Sequence, residues 1–209
     1  MNLDRILPLF APLLKRVLRA NQARRAARFA AVPPARGRVV FLGDSITEGT
    51  AWEDWFPELR TANRGIGGHA ICDVASRLDN ATTEPAAISL LIGTNDLHGL
   101  GTSSAVPDIA AQMDGLVRQI RARAPLAPLF VHGVFPRSAL FRDRIVELNA
   151  EYRRIAREHG ATYIDMWPVL AGPDGAIVPE LTSDGLHLSI AGYKAWVDAL
   201  RPHLAPFAA

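Results

Sequence analysis

The sequence predicts an α/β protein, a three-layer α/β/α sandwich on a mostly parallel sheet of about five strands. Short, continuous apolar runs close on glycine, as strands buried on both faces do. Stretches of helical period lie between them, and strands alternating with helices imply parallel pairing. No internal repeat or low-complexity tract interrupts the alternation. A chain of 209 residues is enough for one domain with an appendage. Its 49% hydrophobic and 21% charged residues exclude a disordered, collagen-like or disulfide-rich protein. Cys72 is the sole cysteine, so neither an internal disulfide nor a cysteine-based zinc site is expected.

The first element, residues 1–34, is a basic amphipathic segment, and the expected domain body is 35–209. Residues 1–31 carry Arg5, Lys15, Arg16, Arg19, Arg24, Arg25 and Arg28 against Asp4 alone. The formal net charge of +2 therefore hides a positive segment and a net negative body, which removes the case for nucleic-acid binding. Phe10, Leu13, Leu14, Val17 and Leu18 follow helical spacing with Pro12 in the first turn. Such a helix either packs on its own domain or rests on an anionic membrane surface as a peripheral contact. Ile6–Leu14 is too short to span a membrane and reads poorly as a secretory signal, so a cytoplasmic location is expected, with peripheral membrane attachment or export as the alternatives. Pro33-Pro34 ends the segment.

In the body, Val39–Leu42 closed by Gly43, Ala87–Ile92 closed by Gly93, and Leu129–Phe135 read as strands, with weaker candidates at Thr61–Arg64 and Thr162–Met166. Ile109–Arg123, Leu140–His159 and Ile190–His203 read as helices, Gly160 stopping the second. In such a sheet a ligand sits beyond the carboxyl ends of the strands.

Four motifs fall on that edge. Gly43-Asp44-Ser45 follows the first strand, displaying a serine near a helix N-terminus. Thr47 stands where the nucleophile elbow of α/β-hydrolases needs its second glycine. The stretch Asn63-Arg64-Gly65-Ile66-Gly67-Gly68-His69 suits a loop that offers backbone N–H groups. Gly93-Thr94-Asn95-Asp96 follows the third strand and can aim a carboxamide at the same place. Asp184-Gly185-Leu186-His187 sets a carboxylate three residues before a histidine, a spacing that lets the acid orient the ring. Each motif alone fits an ordinary turn or cap.

Together, and in this order, they resemble the GDSL/SGNH hydrolase family over about residues 38–203. The run from Asp184 to Tyr193 extends the likeness beyond the catalytic pair. The resemblance implies a flavodoxin-like SGNH fold, no cofactor and no metal. It makes Ser45 the nucleophile, His187 the base and Asp184 the residue that orients it. It places an oxyanion hole at the backbone N–H groups of Ser45 and Gly68 and the side-chain amide of Asn95. His69 departs from the pattern, since an acidic residue often stands there, and reads as a loop histidine. Asp44 and Asp96 read as loop-fixing residues. His98, His132, His159 and His203 lack metal-ligand spacing.

The expected reaction is hydrolysis of carboxylic esters with short- to medium-chain acyl groups, or of lysophospholipid-like substrates. Acyl transfer or carbohydrate deacetylation could use the same site. A non-catalytic flavodoxin-like binding module is the alternative of another class. Trp52, His69 and Leu97 are candidate pocket residues, with Trp55 and Phe56 beside the first. Leu97–Val106 reads as a mobile loop that could form a lid, and Pro136-Arg137 as a border of the cleft.

Overall fold

The computed structural model describes residues 19–208. Val39–Gly43 (β1), Thr61–Gly65 (β2), Ala87–Leu91 (β3), Leu129–His132 (β4) and Thr162–Ile164 (β5) form one parallel sheet in the order β2-β1-β3-β4-β5. The described helices are α1 (residues 19–31), α2 (Ser45–Glu48), α3 (Trp52–Trp55), α4 (Ile71–Ala75), α5 (Asp79–Thr82), α6 (Thr94–Leu97), α7 (Val106–Arg123), α8 (Arg142–Glu158), α9 (Trp167–Leu170) and α10 (Ile190–Leu204).

Alternation along the strands builds two cores. Val40 and Leu42 of β1, with Ile88 and Leu90 of β3, face α4, α5, α7 and α8. The apolar stripe of α7 there is Ile109, Met113, Leu116, Val117 and Ile120, and that of α8 is Ile145, Leu148, Tyr152 and Ile155. Val39 and Phe41, with Ala87 and Leu91, face the other way. Trp52 stacks on Phe41 with ring centroids 3.7 Å apart, and Trp196 of α10 meets Trp52 edge-on at 4.9 Å. The three inner strands β1, β3 and β4 are thus buried along their whole length, as their near-continuous apolar runs required, while the edge strands β2 and β5 are partly open. His132 and Ser89 form a buried polar pair at 2.8 Å between β4 and β3, and burial pushes the imidazole down to about 3.

Strand order 2-1-3-4-5 has a switch point. Register sets Gly43 of β1 opposite both Gly65 of β2 and Leu91 of β3, so the chain leaves three neighbouring strands at one edge. Ligands of doubly wound sheets bind where adjacent strands send their connections apart.

The elements fall where the sequence places them, with β3, β4, β5 and α8 shorter than read and β1, β2, α7 and α10 longer by a few residues at one end. β4 stops at His132 rather than Phe135 because a side chain replaces the neighbouring strand. The Asn149 carboxamide accepts from the Val134 N–H (2.7 Å) and donates to the Val134 carbonyl (2.9 Å). β5 stops at Ile164 because Asp165 turns to cap the N–H of Trp167 at 3.0 Å. α8 starts at Arg142 because the Ser138 hydroxyl caps a preceding 3₁₀ turn. The apolar helical spacing Phe10–Leu18 lies outside the described residues.

The core position of Trp52 gives a stability test. Trp52→Ala is expected to cost about 3–5 kcal/mol, as loss of a fully buried aromatic does. Urea unfolding followed by far-UV circular dichroism measures it, and a loss below about 1 kcal/mol would show that the stack bears little of the fold.

Candidate active site

Ser45 is the first residue of α2, directly after β1. The preceding Asp44 caps that helix, its Oδ1 accepting the Ile46 N–H at 3.0 Å. The Tyr193 hydroxyl donates to the Ile46 carbonyl at 2.7 Å and ties α2 to α10. The residue after the serine is therefore held at both its N–H and its carbonyl.

His187 reaches Ser45 from the loop before α10. Its Nε2 lies 2.9 Å from the Ser45 Oγ, and its Nδ1 lies 2.7 Å from Asp184 Oδ2. The other carboxylate oxygen, Oδ1, accepts the N–H groups of Leu186 (3.0 Å) and His187 (2.8 Å). One carboxylate thus folds its own loop and orients the ring. These bonds, the His187 side chain first, draw the Asp184 carboxyl down to about 2. An ionised Asp184 accepts from Nδ1–H, which leaves Nε2 bare to receive the Ser45 hydroxyl proton. Thr182 closes the loop, its hydroxyl donating to the His187 carbonyl at 2.7 Å and accepting from the Gly185 N–H at 2.9 Å.

Asn95 enters from the end of β3. Its carboxamide donates to the His69 carbonyl at 2.8 Å, so the amide is fixed in rotation. Asp96, buried behind it, accepts the Ile71 N–H and joins this loop to the start of α4. Burial pushes the Asp96 carboxyl up to about 6. Gly68 adopts a φ of +75°, a left-handed conformation that glycine takes at little cost. No acceptor for the backbone N–H of Ser45 or Gly68 occurs among the described residues.

Ser45, Gly68, Asn95 and His187 line one cleft of about 420 Å³. Its further walls are Glu48, Ile66, Gly67 and Leu186, with Asn21, Gln22 and Arg25 of α1. The structure therefore brings together all five residues that the motifs single out for chemistry, Asp184 acting from behind His187. It does not bring together the candidate pocket residues. Trp52 is wholly buried against Phe41, and its indole N–H donates to the Thr47 carbonyl. Leu97 is buried in the opposite core. His69 also lies off the cleft lining, its Nδ1 accepting from Arg77 Nε at 3.1 Å. Burial beside that cation pushes its imidazole down to about 4. Phe56 is core, Trp55 donates to the Thr50 hydroxyl, and Arg137 is buried against Thr94 and Phe141. No residue of the 98–105 loop lines the cleft, and Arg144 bonds to the carbonyls of Leu97 and Ser104 at its two ends.

A family model of the GDSL-like lipase/acylhydrolase type matches residues 41–195. The chain belongs to this family. It is an ester-hydrolysing enzyme. Platelet-activating factor acetylhydrolase IB subunit alpha1 of Homo sapiens is 31% identical over 173 residues, covering 78% of this chain and 73% of that protein. The fold is shared with a GDSL-like lipase of Bacteroides thetaiotaomicron (TM-score 0.75, 24% identity, 90% of this chain and 98% of that one). It is shared also with an acetyl xylan esterase variant of Geobacillus stearothermophilus (TM-score 0.64, 21% identity, 82% and 96%).

Three groups around the acylhydrolase cleft escape motif reading. Arg77, half-buried, donates to the Gly43 carbonyl (3.0 Å), the Arg64 carbonyl (2.8 Å) and His69. It ties the ends of β1 and β2 to the glycine loop. Burial pushes its guanidinium down to about 10, still a cation at neutral pH. Glu48 accepts the Gly67 N–H at 2.6 Å and pairs with Arg25 at 3.1 Å. α1 supplies Gln22 and Arg25, and its Phe29 sits among the guanidinium groups of Arg25, Arg64 and Arg77. The described part of the basic segment is thus packed on its own domain, with Arg19, Arg24 and Arg28 exposed. None of these groups has a spacing signature, because their partners are backbone atoms far away in sequence. No helix among the described residues is long and apolar enough to cross a membrane.

Asp44 gives a pH test. Burial pushes its carboxyl up to about 7, and its Oδ2 has no hydrogen-bond partner. The unfolded chain ionises this group near pH 4, while the folded chain holds the proton to about 7. Its contribution to stability is therefore complete below pH 4 and is lost as the pH rises to 7. Asp44→Asn keeps an acceptor for the Ile46 N–H and does not titrate. Its unfolding free energy relative to wild type is expected to rise by on the order of a few kcal/mol between pH 4 and 7. Urea titrations of both proteins across that range check this, and a constant difference would place the ionisation elsewhere.

Proposed function

We propose that this enzyme hydrolyses carboxylic esters of short acyl groups through an acyl-enzyme on Ser45. The observation that carries the reading is the continuous line from Asp184 through His187 to the Ser45 hydroxyl, at 2.7 and 2.9 Å. In the forward step His187 Nε2 takes the Ser45 proton as Oγ attacks the ester carbonyl carbon. The carbonyl oxygen becomes an oxyanion, for which the N–H groups of Ser45 and Gly68 and the Asn95 carboxamide are the candidate donors. Collapse expels the alcohol, which leaves with the proton held on His187. Water, deprotonated by the same nitrogen, then releases the acid and regenerates Ser45. The imidazole must be neutral at the outset, so the rate falls on acidification.

A short acyl group is favoured by the lining. Ile66 and Leu186 are the apolar residues of the cleft, and the remainder of its wall is the Ser45 hydroxyl, the His187 imidazole, glycine backbone, carboxamides and the Arg25–Glu48 pair. Two such side chains cover only a few methylene groups, at about 0.8 kcal/mol for each one buried. The names of the similar proteins, an acetylhydrolase and an acetyl xylan esterase, support the same size class.

Hydrolysis of p-nitrophenyl esters from acetate to dodecanoate tests the reading, with Ser45→Ala alongside. Ser45-dependent activity with an optimum at acetate to butyrate is expected. An optimum at octanoate or longer would overturn the acyl assignment, and activity that survives in Ser45→Ala would overturn the nucleophile. Asn95→Ala is expected to lower kcat by roughly 10²–10³, the usual loss for one oxyanion donor. A drop of under about fivefold would remove Asn95 from that role.

A further inference from the structure

We propose that Gln22, on the helix ahead of the family-matched region, is a positioning residue for the oxyanion hole. It fixes the peptide that carries the Gly68 N–H. The inference rests on the reading of Ser45 as nucleophile and Gly68 as an oxyanion donor.

Gly67 and Gly68 share one peptide unit. A trans peptide is planar, with its C=O and N–H pointing in opposite directions, so whatever holds the carbonyl also aims the N–H. The Gln22 carboxamide donates to the Gly67 carbonyl at 2.9 Å, and the Gly68 N–H of the same plane therefore points away from that amide. A peptide between two glycines has no Cβ on either side to resist rotation. Left alone it would sample flipped orientations that present a carbonyl, rather than an N–H, to developing negative charge. Two anchors from outside the loop prevent this. Glu48 receives the Gly67 N–H at 2.6 Å, and Gln22 holds the Gly67 carbonyl on the far side of the same residue.

Gln22 is itself held in place. One turn further along α1, Arg25 donates to the Gly65 carbonyl at 2.6 Å and pairs with Glu48 at 3.1 Å. Phe29, one more turn on, packs under Arg64 and Arg77. The contact is also close: a Cβ placed on Gly68 would lie 2.8 Å from Gln22 Nε2. The family match begins at residue 41, so this anchor comes from a part of the chain that the match does not include.

Three substitutions separate positioning from packing. Gln22→Leu removes the donor at similar volume. Gln22→Glu sets carboxylate oxygen against the Gly67 carbonyl. Gln22→Lys restores an N–H donor. On the best p-nitrophenyl ester, Gln22→Leu is expected to lower kcat by about tenfold, a fraction of the loss for deleting an oxyanion donor outright. KM should stay within about twofold. Gln22→Glu should lose more, and Gln22→Lys should recover most of the rate. A trifluoromethyl ketone supplies the second readout. Ser45 Oγ adds to its carbonyl carbon, the hydroxyl proton passes to His187, and the adduct carries an oxyanion. Its affinity should fall in step with kcat/KM across the series. Variants that keep kcat within about twofold of wild type would overturn the proposal. So would a fall in kcat without a matching loss of ketone affinity, which would assign Gln22 to packing alone. If Gln22→Leu does not fold, the near-isosteric Gln22→Glu carries the comparison. Loss of the parent reading is distinguishable, because wild-type activity would then survive Ser45→Ala.

Discussion

Parallel pairing of β1 with β3 is the constraint on which the rest depends. It sets Gly43 opposite Leu91, so two chain segments leave the sheet side by side at one edge. Ser45 follows two residues after Gly43 and Asn95 four residues after Leu91, and neither segment has length to wander. The serine and the carboxamide are thereby placed by strand register, before any side-chain interaction acts. His187 is the exception, since it arrives from the far end of the chain. It depends on the Tyr193 hydroxyl to dock its helix against α2 and on Asp184 to shape the loop before it.

Around these groups lies a set of ionisable side chains whose burial alters their chemistry. Asp44 and Asp96 lie deep enough that their carboxyls are raised, whereas Asp184, more open to solvent and strongly hydrogen-bonded, is lowered. These three aspartates thus divide by environment. The one that faces the imidazole is the one whose oxygens accept three hydrogen bonds. Arg77 completes the arrangement from below, a half-buried cation whose three nitrogens donate to two backbone carbonyls and a neutral imidazole.

Fold and family were legible in the sequence for one reason: both depend on short local patterns. A buried parallel strand writes itself as an apolar run closed by glycine, and Val39–Leu42 before Gly43 and Ala87–Ile92 before Gly93 both do so. Asp184 and His187 are legible because their bond spans three residues. The walls of the cleft were less legible. Trp52 lies near Ser45 in sequence, yet an aromatic side chain seven residues on turns under the sheet to stack on Phe41. Leu97 likewise follows Asn95 by two residues and points into the opposite core. Gln22, Arg25, Glu48 and Arg77 carry no signature, because each serves a backbone atom, and backbone atoms look alike in every sequence.

The cleft therefore has two origins in one chain. Its floor comes from the sheet edge, where register leaves little freedom. One wall comes from a single helix that meets the floor through a few side chains, chiefly Gln22, Arg25 and Phe29. Changes on the inward face of that helix alter the shape and polarity of the entrance while the strand ends stay as they are. Selectivity for the alcohol or acyl portion of a substrate can accordingly diverge between close relatives whose hydrolytic residues are identical. Such divergence would be recorded in the part of the chain where a comparison confined to the family's shared blocks does not look.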